Sequence, residues 1–140
     1  MTPRDTRTGG VLENMIIPAL QNGGYVYEKQ KPVGVRIGGR KHIIDVVTEK
    51  DNKKSLVSLK WQQVSGTAEQ KVPFEVICLL QALIDNNGKY DKAYLVLGGP
   101  GWSLRDFYTS GGLKKYLEYK EKIDVLNLED FVARANKGIL

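Results

Sequence analysis

The sequence predicts an α/β fold, in which the strands of one sheet alternate with amphipathic helices, and three stretches support this. Residues 41–63 are typical of two strands joined by a polar turn, and residues 67–85 carry apolar residues at helical spacing. Residues 92–98 form a continuous apolar run of the kind that is buried in a parallel sheet. The chain has 140 residues, of which 41% are hydrophobic, so it can build one core but hardly a second. We therefore expect residues 1–140 to form a single domain, with residues 1–9 as a flexible arm.

The first helix is predicted within residues 11–22, because apolar residues recur there at helical spacing and a glycine pair follows. Pro18 should kink or shorten this helix. Glu13 borders the apolar stripe, and its position alone favours a first-turn acid that interacts with the helix dipole. A strand follows over residues 25–35, and Pro32 should end it or place it at a sheet edge.

The hairpin of residues 41–63, with a charged turn at residues 49–54, places one acid and one base among apolar strand residues. Side chains alternate along a strand, so Asp45 should share a face with Ile43 and Val47. Antiparallel pairing lets Lys60 project from the same side. Burying the two charges is costly unless they are paired or bind something. We interpret them as a candidate site, with a structural salt bridge as the alternative.

The long helix of residues 67–85 has Thr67 as its expected N-cap. Pro73 fits poorly in its interior, so a start near Val72 is the alternative. After the strand at residues 92–98, Ser103 should cap a further helix.

The last part of the chain is predicted to be mostly helical. The helix capped by Ser103 is interrupted at residues 111–112 and should resume over residues 113–120. A short strand at residues 123–126 and a closing helix capped by Asn127 complete the order α-β-β-β-α-β-α-β-α.

The chain is basic, with 21 Lys and Arg residues against 16 Asp and Glu residues and a formal charge of +5. This balance favours a polyanionic partner such as nucleic acid. A cationic cluster immediately before Asp45 could hold phosphates or form a solvated turn; it contains Arg36, Arg40, Lys41 and His42. Because His42 is the only histidine, a histidine-rich metal site is excluded.

The remaining composition excludes several other classes of protein. Cys78 is the only cysteine, which excludes an intrachain disulfide and a cysteine-rich zinc site, and its apolar surroundings predict a buried structural thiol. The sequence has neither an apolar signal region at its start nor an apolar run approaching the ~20 residues that span a bilayer. We expect a cytoplasmic protein without a membrane partner.

The order of elements is a helix with Glu13, a strand, a strand with Asp45, a strand with Lys60, a helix and a strand, and it resembles the PD-(D/E)xK nuclease superfamily. This superfamily includes type II restriction endonucleases, Holliday-junction resolvases and some homing endonucleases. The resemblance covers residues 10–99. It implies a restriction endonuclease-like three-layer core, with a mixed central sheet flanked by helices, in an intracellular protein of bacterial, archaeal or phage type.

The sequence departs from the superfamily pattern at two positions. Ile44 stands where the motif has proline, and Ser58 stands where the second acid of (D/E)xK is expected, giving an SxK variant. Some restriction enzymes with this variant recruit a glutamate from the following helix. Glu75 matches that spacing better, whereas Glu69 should be the more accessible acid in the first turn of the helix. Glu13 of the first helix is the other candidate.

The resemblance also implies roles for individual residues. A Mg²⁺ cofactor, for which Mn²⁺ can substitute, would be bound by Asp45, Glu13, Glu75 and the backbone carbonyl of Leu59. Lys60 would orient the attacking water or stabilise developing charge, Ser58 would hold a metal-bound water, and Gln62 would position a phosphate or anchor the helix. The predicted DNA contacts are Arg36, Arg40, Lys41 and His42.

The implied function is a Mg²⁺-dependent DNA endonuclease of restriction, nicking or homing type. One alternative is a Holliday-junction resolvase, which differs in the shape of its DNA substrate. The other is a catalytically inactive nucleic-acid-binding module of the same fold. A chain of this size should act as a homodimer or together with a larger DNA-recognition subunit.

Overall fold

A computed structural model describes residues 6–140 of the chain; residues 1–5 of the predicted arm lie outside the described residues. The helices are α1 (Thr6–Val11), α2 (Ile17–Asn22), α3 (Ala68–Asp85), α4 (Arg105–Thr109) and α5 (Leu128–Lys137), with a π-helical turn at Leu12–Ile16 and 3₁₀ turns at Lys114–Tyr116 and Lys120–Lys122. The strands are β1 (Val26–Val35), β2 (Lys41–Lys50), β3 (Lys53–Trp61), β4 (Lys92–Gly98) and β5 (Ile123–Asn127).

The strands of residues 6–140 form one five-stranded sheet in the order β1-β2-β3-β4-β5. The pairs β1/β2 and β2/β3 are antiparallel, whereas β3/β4 and β4/β5 are parallel. One core cluster packs α3 against one face of the sheet, and a second packs α2 and α5 against the other face. This three-layer arrangement confirms the predicted α/β fold with a mixed central sheet.

The N-terminal helical segment accommodates Pro18 through a change of helical register. Proline has no backbone N–H, so the carbonyl of Asn14 lacks its usual partner four residues later. A π-helical turn precedes this position, and the N–H of Ile17 bonds to the carbonyl of Leu12, five residues back. Helical structure therefore continues to Asn22 rather than being shortened. Residues 6–9 of the predicted arm belong to α1 instead.

The hairpin between β2 and β3 turns on two residues. Asp51 and Asn52 have φ angles of 53° and 64°, which is the left-handed conformation of a type I′ turn. The ladder beside it runs from Lys50 paired with Lys53 to Val46 paired with Val57. The predicted hairpin is confirmed, but the longer charged turn at residues 49–54 is wrong because most of that stretch is strand.

The alternation of side chains between the two faces of the sheet is interrupted in β2 at Asp45. Ile44 and Val47 both pack on the α3 side of the sheet, although regular alternation would put residues three apart on opposite faces. Val46 packs on the other side. The predicted common face of Asp45, Ile43 and Val47 is therefore wrong, because the alternation breaks at the acid itself.

The neighbouring strand β1 has a matching irregularity. Gln30 has a φ of 54°, and it lies between Lys29, which pairs with Val46, and Lys31, which pairs with Ile44. The regular alternation of side chains therefore breaks in β1 and β2 at neighbouring positions, Gln30 and Asp45. β1 is an edge strand of the described sheet, as Pro32 predicted.

Helix α3 contains Pro73 in its interior because another side chain satisfies the backbone group that the proline leaves unpaired. The carbonyl of Glu69 has no helical donor four residues later, and it accepts a 2.6 Å hydrogen bond from the buried hydroxyl of Tyr108. The alternative start near Val72 is therefore wrong. Thr67 lies at the N-cap position, but its side chain makes no capping hydrogen bond.

The C-terminal third follows the predicted order with two corrections. Residues 113–120 form only short 3₁₀ turns rather than a resumed helix, and Leu104, not Ser103, occupies the N-cap position of α4. Asn127 caps α5 as predicted, since its side chain accepts a 2.8 Å hydrogen bond from the N–H of Asp130. Within residues 6–140, every helix falls short of the length and apolar character that a bilayer span requires.

We predict that Tyr108→Phe lowers the free energy of unfolding by about 1–3 kcal/mol, because the buried carbonyl of Glu69 loses its donor. In a Pro73→Ala background the same change should cost less, since alanine restores the backbone N–H at position 73. Chemical denaturation of the four proteins measures this coupling. Tyr116→Phe is the matched control, because Tyr116 is 71% exposed. Equal costs in both backgrounds would contradict the explanation.

Candidate active site

Asp45 is held where the β2–β3 ladder is interrupted. Regular pairing of the two strands reaches Val46 and Val57, and one residue further the carboxylate Oδ2 of Asp45 accepts a 2.7 Å hydrogen bond from the backbone N–H of Leu59. The side chain of Asp45 thus accepts from the backbone N–H of Leu59, which lies beyond the regular ladder of β2 and β3. Because Leu59 precedes Lys60, the hairpin brings the carboxylate to the backbone beside the predicted catalytic lysine.

Lys60 and Glu75 meet on the α3 side of the sheet. The ammonium of Lys60 lies 3.8 Å from Oε1 of Glu75, and the lysine side chain is 42% exposed. Glu75 is more tightly bound to Arg36, whose guanidinium donates hydrogen bonds of 2.7 Å and 3.4 Å to its two oxygens. One carboxylate therefore has two cationic neighbours.

These contacts set the charges of the cluster. Burial raises the pKa of Glu75, but the hydrogen bond from Arg36 and the charges of Lys60 and Arg36 outweigh it and leave the pKa below its ordinary value. Burial, and next the charge of Arg36, lower the pKa of His42. At neutral pH Glu75 is therefore ionised and His42 is uncharged.

The predicted DNA-contact residues differ in their accessibility. Arg40 is exposed on the turn between β1 and β2, and Lys41 is exposed at the start of β2. His42 is only 3% exposed and neutral, so its ring is not presented to a ligand in this structure. Arg36 has its guanidinium on Glu75, and it is one wall of an open groove of about 480 Å³. Phe74 and Ile37 line the same groove, and the sequence pattern did not single them out.

Ser58 and Gln62 are both buried, and they differ in what they contact. Ser58 is 8% exposed and, by strand alternation, shares the face of β3 that carries Lys60. The amide of Gln62 donates a 2.7 Å hydrogen bond to the carbonyl of Gly101. This contact fixes the loop after β4 to the end of β3, whereas the anchor expected from the resemblance was to the helix.

Glu69 has a structural role at the start of α4. Its carboxylate accepts a 2.7 Å hydrogen bond from the hydroxyl of Ser103, a 3.2 Å bond from the N–H of Leu104 and another from the N–H of Ser103. The hydroxyl of Ser103 is the largest cause of its lowered pKa. The residue is 6% exposed, which corrects the expectation of an accessible first-turn acid.

Glu13 lies in the π-helical turn with its side chain 52% exposed. Its carboxylate accepts a hydrogen bond from the ammonium of Lys29, and this bond is the main cause of the raised pKa of that lysine. Lys29 pairs in register with Val46, the residue after Asp45. The ion pair therefore holds Glu13 at the level of the break in β2, and Lys29 is a residue that the sequence pattern gave no reason to select.

The carboxylates of this site suit a divalent cation only if water or phosphate supplies most of its ligands. Among the described side chains, no three of His, Cys, Asp or Glu lie close enough together to hold an ion. Mg²⁺ is commonly bound through one or two carboxylates, with waters and substrate phosphates completing its octahedron. The carboxylate of Asp45 is a ligand of the type that such a site uses, and Glu75 and Glu13 remain the acids that the resemblance offers as a second ligand. A cation held entirely by protein ligands does not fit.

We predict that the free energy of unfolding falls as the pH drops from about 7 towards 5, partly because of His42. Its pKa lies below the ordinary 6.5 in the folded chain, so the unfolded chain binds the proton more readily and folding loses stability through that window. His42→Gln should flatten the dependence, as measured by urea denaturation at a series of pH values. A slope that is unchanged in the variant would contradict the buried neutral state.

The chain matches a known family by sequence profile and resembles a solved structure by fold. The profile of the PD-(D/E)XK nuclease superfamily domain matches residues 4–139. The crystal structure of the protein of unknown function AF1548 superimposes with a TM-score of 0.56 at 14% identity, covering 81% of this chain and 54% of that chain, so this chain spans about half of that protein. No curated protein matches. The profile match over nearly the whole chain, on a fold that carries Asp45 and Lys60 on successive strands, shows that the chain belongs to the PD-(D/E)XK nuclease superfamily.

Proposed function

We propose that the chain is a Mg²⁺-dependent DNA endonuclease with Asp45 and Lys60 at its active site. Membership of the superfamily supports a nuclease-type function. The observation that carries the proposal is the hydrogen bond from the N–H of Leu59 to Asp45, which fixes a carboxylate next to the backbone of Lys60 at an interrupted ladder. Beyond Val46 and Val57 the ladder is not continued, and the acid and the base lie on the parts of β2 and β3 that it leaves unpaired with each other.

The residues of this site would divide the work of phosphodiester hydrolysis. A bound Mg²⁺, or Mn²⁺ in its place, would supply charge stabilisation and an activated water. Asp45 would be the carboxylate ligand, oriented by the N–H of Leu59. Lys60, with 42% of its side chain exposed and a loose contact to Glu75, would orient water or neutralise charge on the phosphate. Ser58, on the same face as Lys60, would hold a water.

Glu75 is the best candidate for the acid that Ser58 lacks. It lies 3.8 Å from the ammonium of Lys60, whereas Glu69 is held by the residues at the start of α4. Arg36 keeps Glu75 ionised, and a phosphate arriving in the groove would offer that guanidinium another anionic partner. Glu13, held by Lys29, is the remaining alternative.

DNA would approach along the turn between β1 and β2. Arg40 is exposed there and Lys41 at the start of β2, and both line the groove that Arg36 and Glu75 close. Contacts of this kind fix the position of the phosphate backbone and carry no base preference of their own. His42 would take no part in the DNA contact, because its side chain is buried.

A catalytically inactive DNA-binding module is the second candidate function, and one observation favours it. The negative charge of Glu75 is compensated by Arg36 and Lys60. Among the described residues, no three candidate metal-binding side chains form a group. A basic groove without an assembled metal site would still bind phosphates.

We predict that Asp45→Asn and Lys60→Met each lower DNA cleavage in Mg²⁺ or Mn²⁺ by roughly 100-fold or more, since each removes a charge at the reacting phosphate. Asp106→Asn and Lys120→Met are matched controls at exposed positions and should cleave normally. Supercoiled plasmid, linear duplex and a four-way junction serve as substrates, and preference for the junction would identify a resolvase. Tight binding without cleavage by the wild type would support the inactive module instead.

We predict that Glu75→Gln lowers cleavage more than Glu13→Gln, by roughly tenfold or more, because Glu75 lies beside Lys60. The variants are compared by the Mg²⁺ concentration at half-maximal cleavage, which should rise for the residue that supplies the second acid. Thermal unfolding checks that Glu75→Gln remains folded after losing its contact with Arg36. The reverse order of the two variants would assign the second acid to Glu13.

A further inference from the structure

The groove between the β1–β2 turn and α3 is lined by apolar side chains as well as by cations. Phe74 is 46% exposed and Ile37 is 44% exposed, and both line this groove of about 480 Å³. A single exposed apolar residue is ordinary on a protein surface. Two of them beside cationic residues are more than phosphate contacts require, because a phosphate is bound by charge and hydrogen bonds. The groove therefore offers a surface to an apolar or aromatic part of its ligand.

The ring of Phe74 is part of a preformed platform. It is carried by α3, a helix that packs on the sheet, so its backbone is held in place. The guanidinium of Arg36 lies over the ring, 5.9 Å from its centroid. Hydrogen bonds of 2.7 Å and 3.4 Å to Glu75 fix the same guanidinium. Two planar groups are thus held next to each other before a ligand arrives, which lowers the entropy cost of binding.

The charge of the groove fits a polyanion. Arg40 and Lys41 are exposed at its edge. Among the described residues that line it, the one acid is Glu75, which a guanidinium already neutralises. Lys71 is exposed one helical turn before Phe74 and adds positive charge on the same side of α3. A ligand that combines repeated negative charge with flat aromatic groups is a nucleic-acid strand.

The exposed ring discriminates between paired and unpaired DNA. In a duplex the faces of the bases are stacked on one another, so a protein reaches the phosphates, the sugars and the edges of the bases. An aromatic side chain can stack on a base that has left the helical stack or that belongs to a single strand. The ring of Phe74 therefore suits an unpaired base.

Arg36 connects this platform with the proposed active site. It contacts the ring of Phe74 and the carboxylate of Glu75, and that carboxylate lies 3.8 Å from the ammonium of Lys60. A base stacked on the ring would belong to a nucleotide close to the phosphate that the lysine contacts. The volume of the groove falls within the roughly 300–1,000 Å³ of small-ligand sites, so one nucleotide can enter it.

We propose that this groove binds one unpaired base of the DNA strand, stacked on Phe74, and that the chain prefers DNA with a bulged or single-stranded nucleotide beside the phosphate that is cut. The inference rests on the proposed endonuclease function, whose substrate class it narrows. Stacking on an aromatic ring tolerates any base, because every base has a π face. The preference is therefore for the structure of the DNA rather than for its sequence.

The test compares a duplex that contains a single-nucleotide bulge with the same duplex fully paired. Binding is measured by fluorescence anisotropy in EDTA, so that no cleavage occurs. We expect the wild type to bind the bulged duplex roughly tenfold more tightly. Phe74→Ala and Phe74→Leu should both remove this preference and leave the affinity for the paired duplex unchanged, since leucine keeps an apolar surface but has no flat ring.

Phe107→Ala is the matched control, because Phe107 is 43% exposed and does not line the groove. Circular dichroism verifies that each variant is folded. Equal affinity of the wild type for the two duplexes would overturn the inference, and so would a preference that persists in Phe74→Ala. An equal loss of affinity for both duplexes would overturn it too, because the ring would then contact paired DNA.

Cleavage of the same two duplexes in Mg²⁺ separates this inference from the proposed function. Cutting should fall beside the unpaired base, since Arg36 joins the ring of Phe74 to the proposed active site. Equal affinity and equal cutting of both duplexes would overturn the base site and leave the nuclease proposal standing. Preferential binding of the bulged duplex without any cutting would support the base site and contradict the nuclease.

Discussion

The hydrogen bond between the carboxylate of Asp45 and the N–H of Leu59 is the contact on which the organisation of this site depends. The β2–β3 ladder is regular from the hairpin turn to Val46 and then stops. A backbone N–H left at that point would be costly to bury without a partner, and the aspartate supplies one at 2.7 Å. The interruption and the acid therefore stabilise each other, and Lys60 is the next residue along β3.

Helix α3 organises what surrounds this contact through two glutamates on different sides of the helix. Glu69 faces the loop after β4 and fixes the first turn of α4, and its backbone carbonyl is the acceptor that allows Pro73 inside the helix. Glu75 faces the sheet and forms ion pairs with Arg36 and Lys60. The two residues are of the same type and only six positions apart, yet one is structural and the other lies at the proposed site. Their neighbours, rather than their spacing, decide the difference.

Local patterns in the sequence predicted the parts of the fold that depend on neighbouring residues. The hairpin, the cap of α5 at Asn127 and the apolar strand β4 follow from turn chemistry, capping preference and hydrophobic runs. The face change at Asp45 did not follow, because it requires Gln30 on another strand to adopt a left-handed φ at the same level. Pro73 was misread for a related reason, since its compensation comes from Tyr108, 35 positions later. Pairings of this kind are set by tertiary structure and leave no periodic signal.

The two cations around Glu75 contact it with different strength. Arg36 is held firmly by the carboxylate, and Lys60 is held only loosely. Arg36 donates two hydrogen bonds, the shorter of 2.7 Å, and its side chain is 24% exposed. Lys60 is 3.8 Å away and 42% exposed, and an ion pair of that length at the surface contributes little to stability. The guanidinium therefore fixes the carboxylate, while the ammonium keeps its donors for another anion. A lysine locked into a structural salt bridge would not have this freedom, so the weakness of the Lys60–Glu75 contact agrees with the role proposed for the lysine at the active site.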